Sequence, residues 1–314
     1  MPFSRRAFLG GLFAATATPR LFAKAAADYD PNLTVFLSDI HINGRSEGET
    51  YQRDRFAASV AEILRMDPLP KRAVVFGDLA YLWGLKEDYQ CSAAYLKQLT
   101  DAGIEVTIGM GNHDRRSTFL EVHPQYAQTT KVPGRIVSVV DAGNVDILML
   151  DGLQGTDDRG LRDMGPVPGA LDRDQQDWLL AELPKWKKPV FVCSHFPFKE
   201  LSAGGKPLSV LMENAVPVAG YIHGHDHRWY KTYVRNGYKT GVVKRGLCLP
   251  STGHWGDIGY TLFRTFGDHA VATLRQREFF FPKPEPKQDS SRTLWSFITA
   301  ENQGLSCTFP LPKI

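Results

Sequence analysis

Five short stretches of this chain close an apolar run with residues able to bind a cation or move a proton. Ser38-Asp39-Ile40-His41 follows Leu33–Leu37, and Gly77-Asp78 follows Val74-Val75-Phe76. Gly109-Met110-Gly111-Asn112-His113-Asp114 follows Ile104–Ile108, and Ser194-His195 follows Pro189–Cys193. His223-Gly224-His225-Asp226-His227 ends the run from Val216 to Ile222. This last stretch, alternating imidazoles around a glycine that permits close approach, is the strongest single metal signal, because clustered imidazoles without a metal repel one another once charged. Collected, Asp39, His41, Asp78, Asn112, His195, His225 and His227 make an oxygen and nitrogen donor set without sulfur. One divalent ion rarely takes so many groups, whereas two ions sharing a carboxylate do. Hard oxygens with imidazoles suit Zn, Mn or Fe, in divalent or mixed-valence pairs, and not a closed structural zinc, which is commonly thiolate-rich. Beside these donors, His113 offers an ionisable imidazole and Asp114 a carboxylate to orient it.

The elements that must position these groups read as an α/β alternation. Each apolar run is β-branched and short enough for a buried strand, with its polar residues at the carboxyl end, where such folds gather ligands. Asp39 and His41 are two apart, so in extended backbone both side chains face one side. Helical periodicity runs from Phe56 to Met66, from Asp88 to Ala102 and from Leu171 to Leu183, the last with Asp172 as its cap. Val137–Val140 and Val145–Leu150 read as paired strands, and Tyr230–Arg235 with Tyr238–Val243 as a hairpin around Asn236-Gly237. Asp151 reads as a turn residue, His254 as part of a plain loop, and 152–170 as a long loop beside the substrate.

Hydrophobic content of 43% and charged content of 23% fit a globular chain of 314 residues. The formal charge of +3 comes from the N-terminus: without Arg5, Arg6, Arg20 and Lys24, 33 basic residues face 34 acidic ones. That balance leaves no electrostatic footprint for nucleic acid. Cys91, Cys193, Cys248 and Cys307 lack metal or redox spacing, and Cys193 reads as a core residue. Ser4-Arg5-Arg6-Ala7-Phe8-Leu9-Gly10, an apolar stretch to Thr18 and small residues around Ala23–Ala27 resemble a twin-arginine export signal. The resemblance implies a cleaved segment 1–27, a transient membrane passage and a periplasmic or secreted product.

Taken in order, Asp-x-His, Gly-Asp, Gly-Asn-His-Asp, Ser-His and Gly-His-x-His resemble the motifs of the calcineurin-like metallophosphoesterase superfamily, over roughly residues 33–265. The resemblance implies a four-layer α/β/β/α sandwich with a dinuclear metal site at the strand carboxyl ends. It also implies a domain over 28–281, followed by a Pro-rich spacer and tail over 282–314. Asp39, His41, Asp78 and His227 would hold one metal and Asp78, Asn112, His195 and His225 the other. The implied function is phosphoric ester hydrolysis of a small phosphomonoester or phosphodiester, with a hydroxide bridging the metals as nucleophile. His113 corresponds to the family's non-ligand histidine, with Asp114 expected to fix its tautomer. Gly111–Phe119 is similar to the cyclic-nucleotide phosphodiesterase branch, where Arg115 or Arg116 would either contact phosphate or face solvent. Gly77-Asp78-Leu79-Ala80-Tyr81 also resembles a purple acid phosphatase block whose tyrosine binds iron, but that group lacks the counterpart of His41, so Tyr81 is expected to pack. A non-catalytic metal-binding member of the same fold is the remaining alternative.

Overall fold

The computed structural model describes residues 28–45, 47–154, 169–202, 217–235, 243–280 and 305–314. The export-signal segment and the Pro-rich spacer therefore lie outside the described residues, as does most of the loop expected over 152–170. In chain order the elements are β1 (Tyr29–Leu37), α1 (Tyr51–Ile63), β2 (Leu69–Val75), α2 (Lys86–Asp101), β3 (Glu105–Ile108), α3 (Arg116–Val122) and α4 (Gln125–Thr129). Then come β4 (Ser138–Asp141), β5 (Asp146–Met149), α5 (Arg173–Glu182), β6 (Val190–Cys193), α6 (Phe198–Ser202), β7 (Val218–His223), β8 (Tyr230–Arg235), β9 (Val243–Cys248), β10 (Gly256–Thr265), β11 (His269–Phe280) and β12 (Ser306–Pro310).

Two six-stranded sheets form, ordered β12-β11-β10-β1-β2-β3 and β4-β5-β6-β7-β9-β8. Strands β1, β2 and β3 pair in parallel, as do β5, β6, β7 and β9, so their carboxyl ends share one edge of each sheet. The two-residue side-chain period of a strand builds the layers. In β1 and β2, Val35, Leu37, Ala73 and Val75 face Phe56, Val60, Leu96 and Leu99 of α1 and α2. The alternate residues Phe36, Val74 and Phe76 meet Ile147, Met149, Phe191, Cys193 and Ile222 of the other sheet. On that sheet's outer face, Val190, Val192 and Tyr221 pack with Leu179 of α5 and with Leu183. The sequence of layers is helices, sheet, sheet, helix, as the motif resemblance implies.

Asp172 caps α5 as its position predicts, accepting the Gln175 backbone N–H at 3.0 Å. Four readings need correction. The strand opposite β8 is β9, whose Arg235↔Val243 register starts where the expected second hairpin strand ends; the Asn236-Gly237 turn lies outside the described residues. Leu247 anchors β9 by facing the inter-sheet core, next to parallel β7. Asp151 is no plain turn residue, and Arg116 neither meets solvent nor is free for phosphate. The Arg116 guanidinium donates to both Asp151 oxygens, at 2.6 and 2.8 Å, and both residues are buried. Finally, the expected tail contributes β12, which pairs with β11 and sends Cys307 and Phe309 into the inter-sheet core. Five alternating residues after a Pro-rich stretch carry too short a pattern to announce a strand. All four cysteines are free.

Phe309 packs edge-on against Phe191 with centroids 5.1 Å apart. Its truncation, Phe309→Ala, is expected to lower unfolding stability by about 3–5 kcal/mol in a denaturant titration, as for other buried aromatics.

Candidate metal centre

Strands β1 and β2 keep pairing beyond their ends. Phe76 N–H donates to Leu37 O at 2.8 Å, Asp39 N–H to Gly77 O at 3.2 Å and His41 N–H to Asp78 O at 2.9 Å. The two strand-end loops are thus zipped together, and the backbone turns sharply at the functional residues. Asp39, His41, Asp78, His225 and His227 all have positive φ, between 48° and 71°. Such values cost a non-glycine residue on the order of 1–3 kcal/mol each and gather at functional sites. For Asp39 and His41 the expected extended alternation is replaced by left-handed turns, which still bring both side chains to Asp78.

The donor atoms fall into two clusters. In the first, one atom each from Asp39, His41, Asp78 and His227 lies within 4.8 Å of the others. His41 Nε2 is 3.2 Å from His227 Nε2 and 3.4 Å from Asp78 Oδ2, and His227 Nε2 is 3.2 Å from Asp39 Oδ1. In the second, Asp78, His195 and His225 converge. His195 Nε2 is 3.2 Å from Asp78 Oδ2, 3.1 Å from His225 Nδ1 and 3.0 Å from Asn112 Oδ1. All seven donors expected from sequence are therefore gathered, with the same Asp78 oxygen facing both clusters.

The surroundings aim these atoms. His41, His195 and His227 direct Nδ1–H to the carbonyls of Tyr81, Phe76 and Trp255, each at 3.0 Å. In the neutral ring that fixes the tautomer and leaves Nε2 as the lone pair. The Nε2 atoms of His41 and His227 then face each other 3.2 Å apart, an arrangement met by a proton on one of them or by a cation shared between them. Asp78 Oδ1 accepts the His113 N–H at 2.8 Å, reserving Oδ2 for the clusters. Asp39 accepts the His225 N–H at 3.1 Å and the Ser38 hydroxyl at 2.5 Å. Glycines allow these approaches: a Cβ on Gly111 would collide with the Asp78 carboxylate, and one on Gly224 with Ser38 and Asp39. The donor set, its tautomers and its shared carboxylate fit two cations of the Zn, Mn or Fe kind.

Electrostatics point the same way. Burial opposes a charge on His195, yet Asp78 and Asp39 raise its pKa to about 9. Burial likewise opposes ionisation of Asp39, but His227 and His195 hold it below the usual carboxylate range. Without a metal, the carboxylates are balanced by protons on imidazole, which a cation would displace.

Residues around the donors differ in part from expectation. His113 is half-buried, its ring 4.8 Å from that of His41. Its Nδ1 faces Leu82 O at 3.2 Å, so Leu82 and not Asp114 fixes its tautomer. Asp114 instead pins the loops, accepting from Gly111 N–H at 2.9 Å, Ala80 N–H at 3.1 Å and the Tyr89 hydroxyl at 3.1 Å. Burial and the charge of Asp78 push it up to about 7. Arg115 is half-buried. The Tyr81 hydroxyl donates to Glu49 at 3.1 Å. His254, read as a loop residue, stands against the centre, 4.5 Å from the His41 ring and 5.6 Å from that of His227. Its signal was the same strand-end pattern, a histidine next to glycine shortly after an apolar run, but without a neighbouring donor to amplify it.

The family model of the calcineurin-like phosphoesterases matches residues 33–229. No curated protein matches the chain. Among solved structures, a dimetal phosphatase from Danio rerio is 16% identical, with a TM-score of 0.59 over 80% of this chain and 98% of its own. The TT1561 protein of Thermus thermophilus is 11% identical, with a TM-score of 0.45 over 74% and 94% of the two chains. Zinc-complexed Vps29 from Entamoeba histolytica is 14% identical, with a TM-score of 0.37 over 78% and 92%. At these identities the first likeness bears on the fold alone.

Because His195 carries a proton up to about pH 9 in the metal-free chain, cation binding at pH 7 should release it, and metal affinity should fall as pH drops below 9. Titration calorimetry of metal into the metal-free protein, in buffers of different ionisation enthalpy, counts the protons. A Gly111→Ala chain should bind less metal, since the added methyl would meet both the carboxylate and the backbone nitrogen of Asp78; circular dichroism checks that the variant is folded.

Proposed function

Because the chain belongs to the calcineurin-like phosphoesterases, we propose that it is a metal-dependent phosphoester hydrolase acting on small phosphomonoesters or phosphodiesters. The observation that carries this reading is the single Asp78 oxygen shared by two donor clusters, 3.4 Å from His41 and 3.2 Å from His195. Asp39, His41, Asp78 and His227 would hold one cation and Asp78, Asn112, His195 and His225 the second. When bound, such a pair supplies Lewis acidity, which lowers the pKa of water and offsets charge on phosphate oxygens.

The chain's own groups supply the rest. The carbonyls of Tyr81, Phe76 and Trp255 each face Nδ1 of one imidazole and turn its Nε2 inward. His113 lies outside the donor clusters and beside His41. With Nδ1–H directed to Leu82 O, its Nε2 is the atom left to hold a proton for the leaving oxygen. The burial of Asp39, Asp78 and His195 excludes water from the floor of the site and strengthens its fields. A tyrosinate-iron centre is disfavoured by the Tyr81 hydroxyl bonding to Glu49. A non-catalytic role is disfavoured by the coexistence of every donor with His113, since a metal-binding scaffold has no need of the latter. Export by the twin-arginine route, with a periplasmic or secreted product, rests on the Ser4–Gly10 pattern alone.

Metal-analysed protein supplied with Mn or Zn should turn over p-nitrophenyl phosphate, bis-p-nitrophenyl phosphate or both. Asp78→Asn should lose bound metal and turnover together. His113→Ala should keep its metal and lose about 10²–10⁴-fold in kcat, the usual worth of a positioned proton donor. A chain that carries two metals and hydrolyses neither ester would refute the hydrolase reading. Tyr81→Phe should retain both metal and turnover.

A further inference from the structure

The first donor cluster has an aromatic rim to which its chemistry gives no task. The His254 ring lies 4.5 Å from His41 and is half-buried, so part of it faces solvent beside the centre. Tyr51, at the start of α1, lies within 4° of parallel to it at 6.2 Å, and its hydroxyl is 3.2 Å from His254 Nδ1. Tyr81 stands edge-on to the same ring at 5.8 Å. Both tyrosine hydroxyls donate to Glu49 Oε2, at 3.0 and 3.1 Å, which closes the outer edge of the rim with a carboxylate.

The rim is held as firmly as the donors. Thr252 N–H donates to Ser38 O at 2.7 Å, the Ser251 hydroxyl to Asp39 O at 2.8 Å and Asp257 N–H to His227 O at 2.9 Å. A Cβ on Gly253 would meet the Ile40 carbonyl, so the segment lies flat on the end of β1. The Arg55 guanidinium donates to His254 O at 2.9 Å and covers the Tyr51 ring at 4.6 Å. The loop carrying His254 is therefore tied to the backbone of two donors, Asp39 and His227, which fixes the distance from ring to centre.

Two parallel rings joined at their edges present a flat, polarisable surface, and flat surfaces favour flat partners by stacking. The carboxylate of Glu49 at the edge repels a second anionic group. We propose that His254, backed by Tyr51, is a specificity-determining residue that selects phosphoesters whose organic part carries a flat, uncharged ring. This rests on the phosphoester reading of the same centre.

Non-hydrolysable probes separate the two claims. Phenylphosphonate and methylphosphonate are titrated calorimetrically into the metal-loaded full chain, and the ratio of their affinities is the readout. The expected preference for the phenyl compound is about tenfold, the upper end of one aromatic contact. It should fall towards unity in His254→Ala and in Tyr51→Ala and be retained in His254→Phe, which keeps the flat ring; bound metal checks that each variant is folded. A wild-type ratio near one, a ratio that survives both alanine variants, or failure of either phosphonate to bind would overturn the proposal. An intact ratio in a chain without turnover would instead defeat the hydrolase reading and leave the rim's preference standing.

Discussion

One carboxylate oxygen holds this site together. Asp78 Oδ2 faces donors from both sheets, His41 from the loop after β1 and His195 from the loop after β6. No single layer can assemble that arrangement. The distance between the two sets of loops is fixed by the inter-sheet core, in which Phe36, Val74 and Phe76 meet Phe191, Cys193 and Ile222. The His225 N–H donates across the seam to Asp39, so the sheets are also tied at the site itself. Cation binding and closure of the sandwich are therefore linked equilibria: ions that bind only the assembled seam stabilise the fold by mass action.

The buried carboxylates show two ways of meeting the cost of a charge in the interior. Asp151 is neutralised permanently by Arg116 and by N–H groups of Ile136 and Leu153. Breaking such a pair leaves an unpaired buried charge and costs several kcal/mol, on the order of 3–5. Asp39 and Asp78 have histidines as their ion-pair partners among the described residues. Imidazolium gives up its proton near neutrality, whereas guanidinium does not. The centre thus keeps its negative charge available for a replaceable partner, and Arg116 meanwhile holds α3 against the neighbouring sheet without competing for that role.

Much of this was legible in the sequence, because strand-end donors combine two local signals, an apolar run and a polar residue just past it. The seven residues that the structure gathers are named from that grammar, and the two-sheet sandwich from the motif resemblance. What escaped it depends on partners far away in the chain. The pairing of Arg116 with Asp151 spans 35 positions, and nothing near either residue marks it. The orientation of His113 by Leu82, and not by adjacent Asp114, arises because the loop turns the Asp114 carboxylate towards Gly111 and Ala80. Strand β12 is specified by two inward residues, Cys307 and Phe309, and needs the finished edge of β11 to exist. The positive φ values at five donors had no sequence mark at all: Asp and His carry no requirement for left-handed backbone, and here tertiary contacts impose it.

His254 shows why the centre and its rim need not constrain one another. The donors are held by side-chain geometry, so each position admits few residue types. The segment from Ser251 to Asp257 is joined to Asp39 and His227 largely through backbone groups, with the Ser251 hydroxyl as the exception. Backbone hydrogen bonds do not depend on the side chain that accompanies them. The ring at position 254 and its companion at 51 are thus presented to the first donor cluster by a frame indifferent to their identity. A change at either position would leave these backbone bonds in place. The proposed recognition of a substrate's organic part would in this way be separable from the proposed chemistry at phosphorus, although the rim ring and the His41 ring lie only 4.5 Å apart.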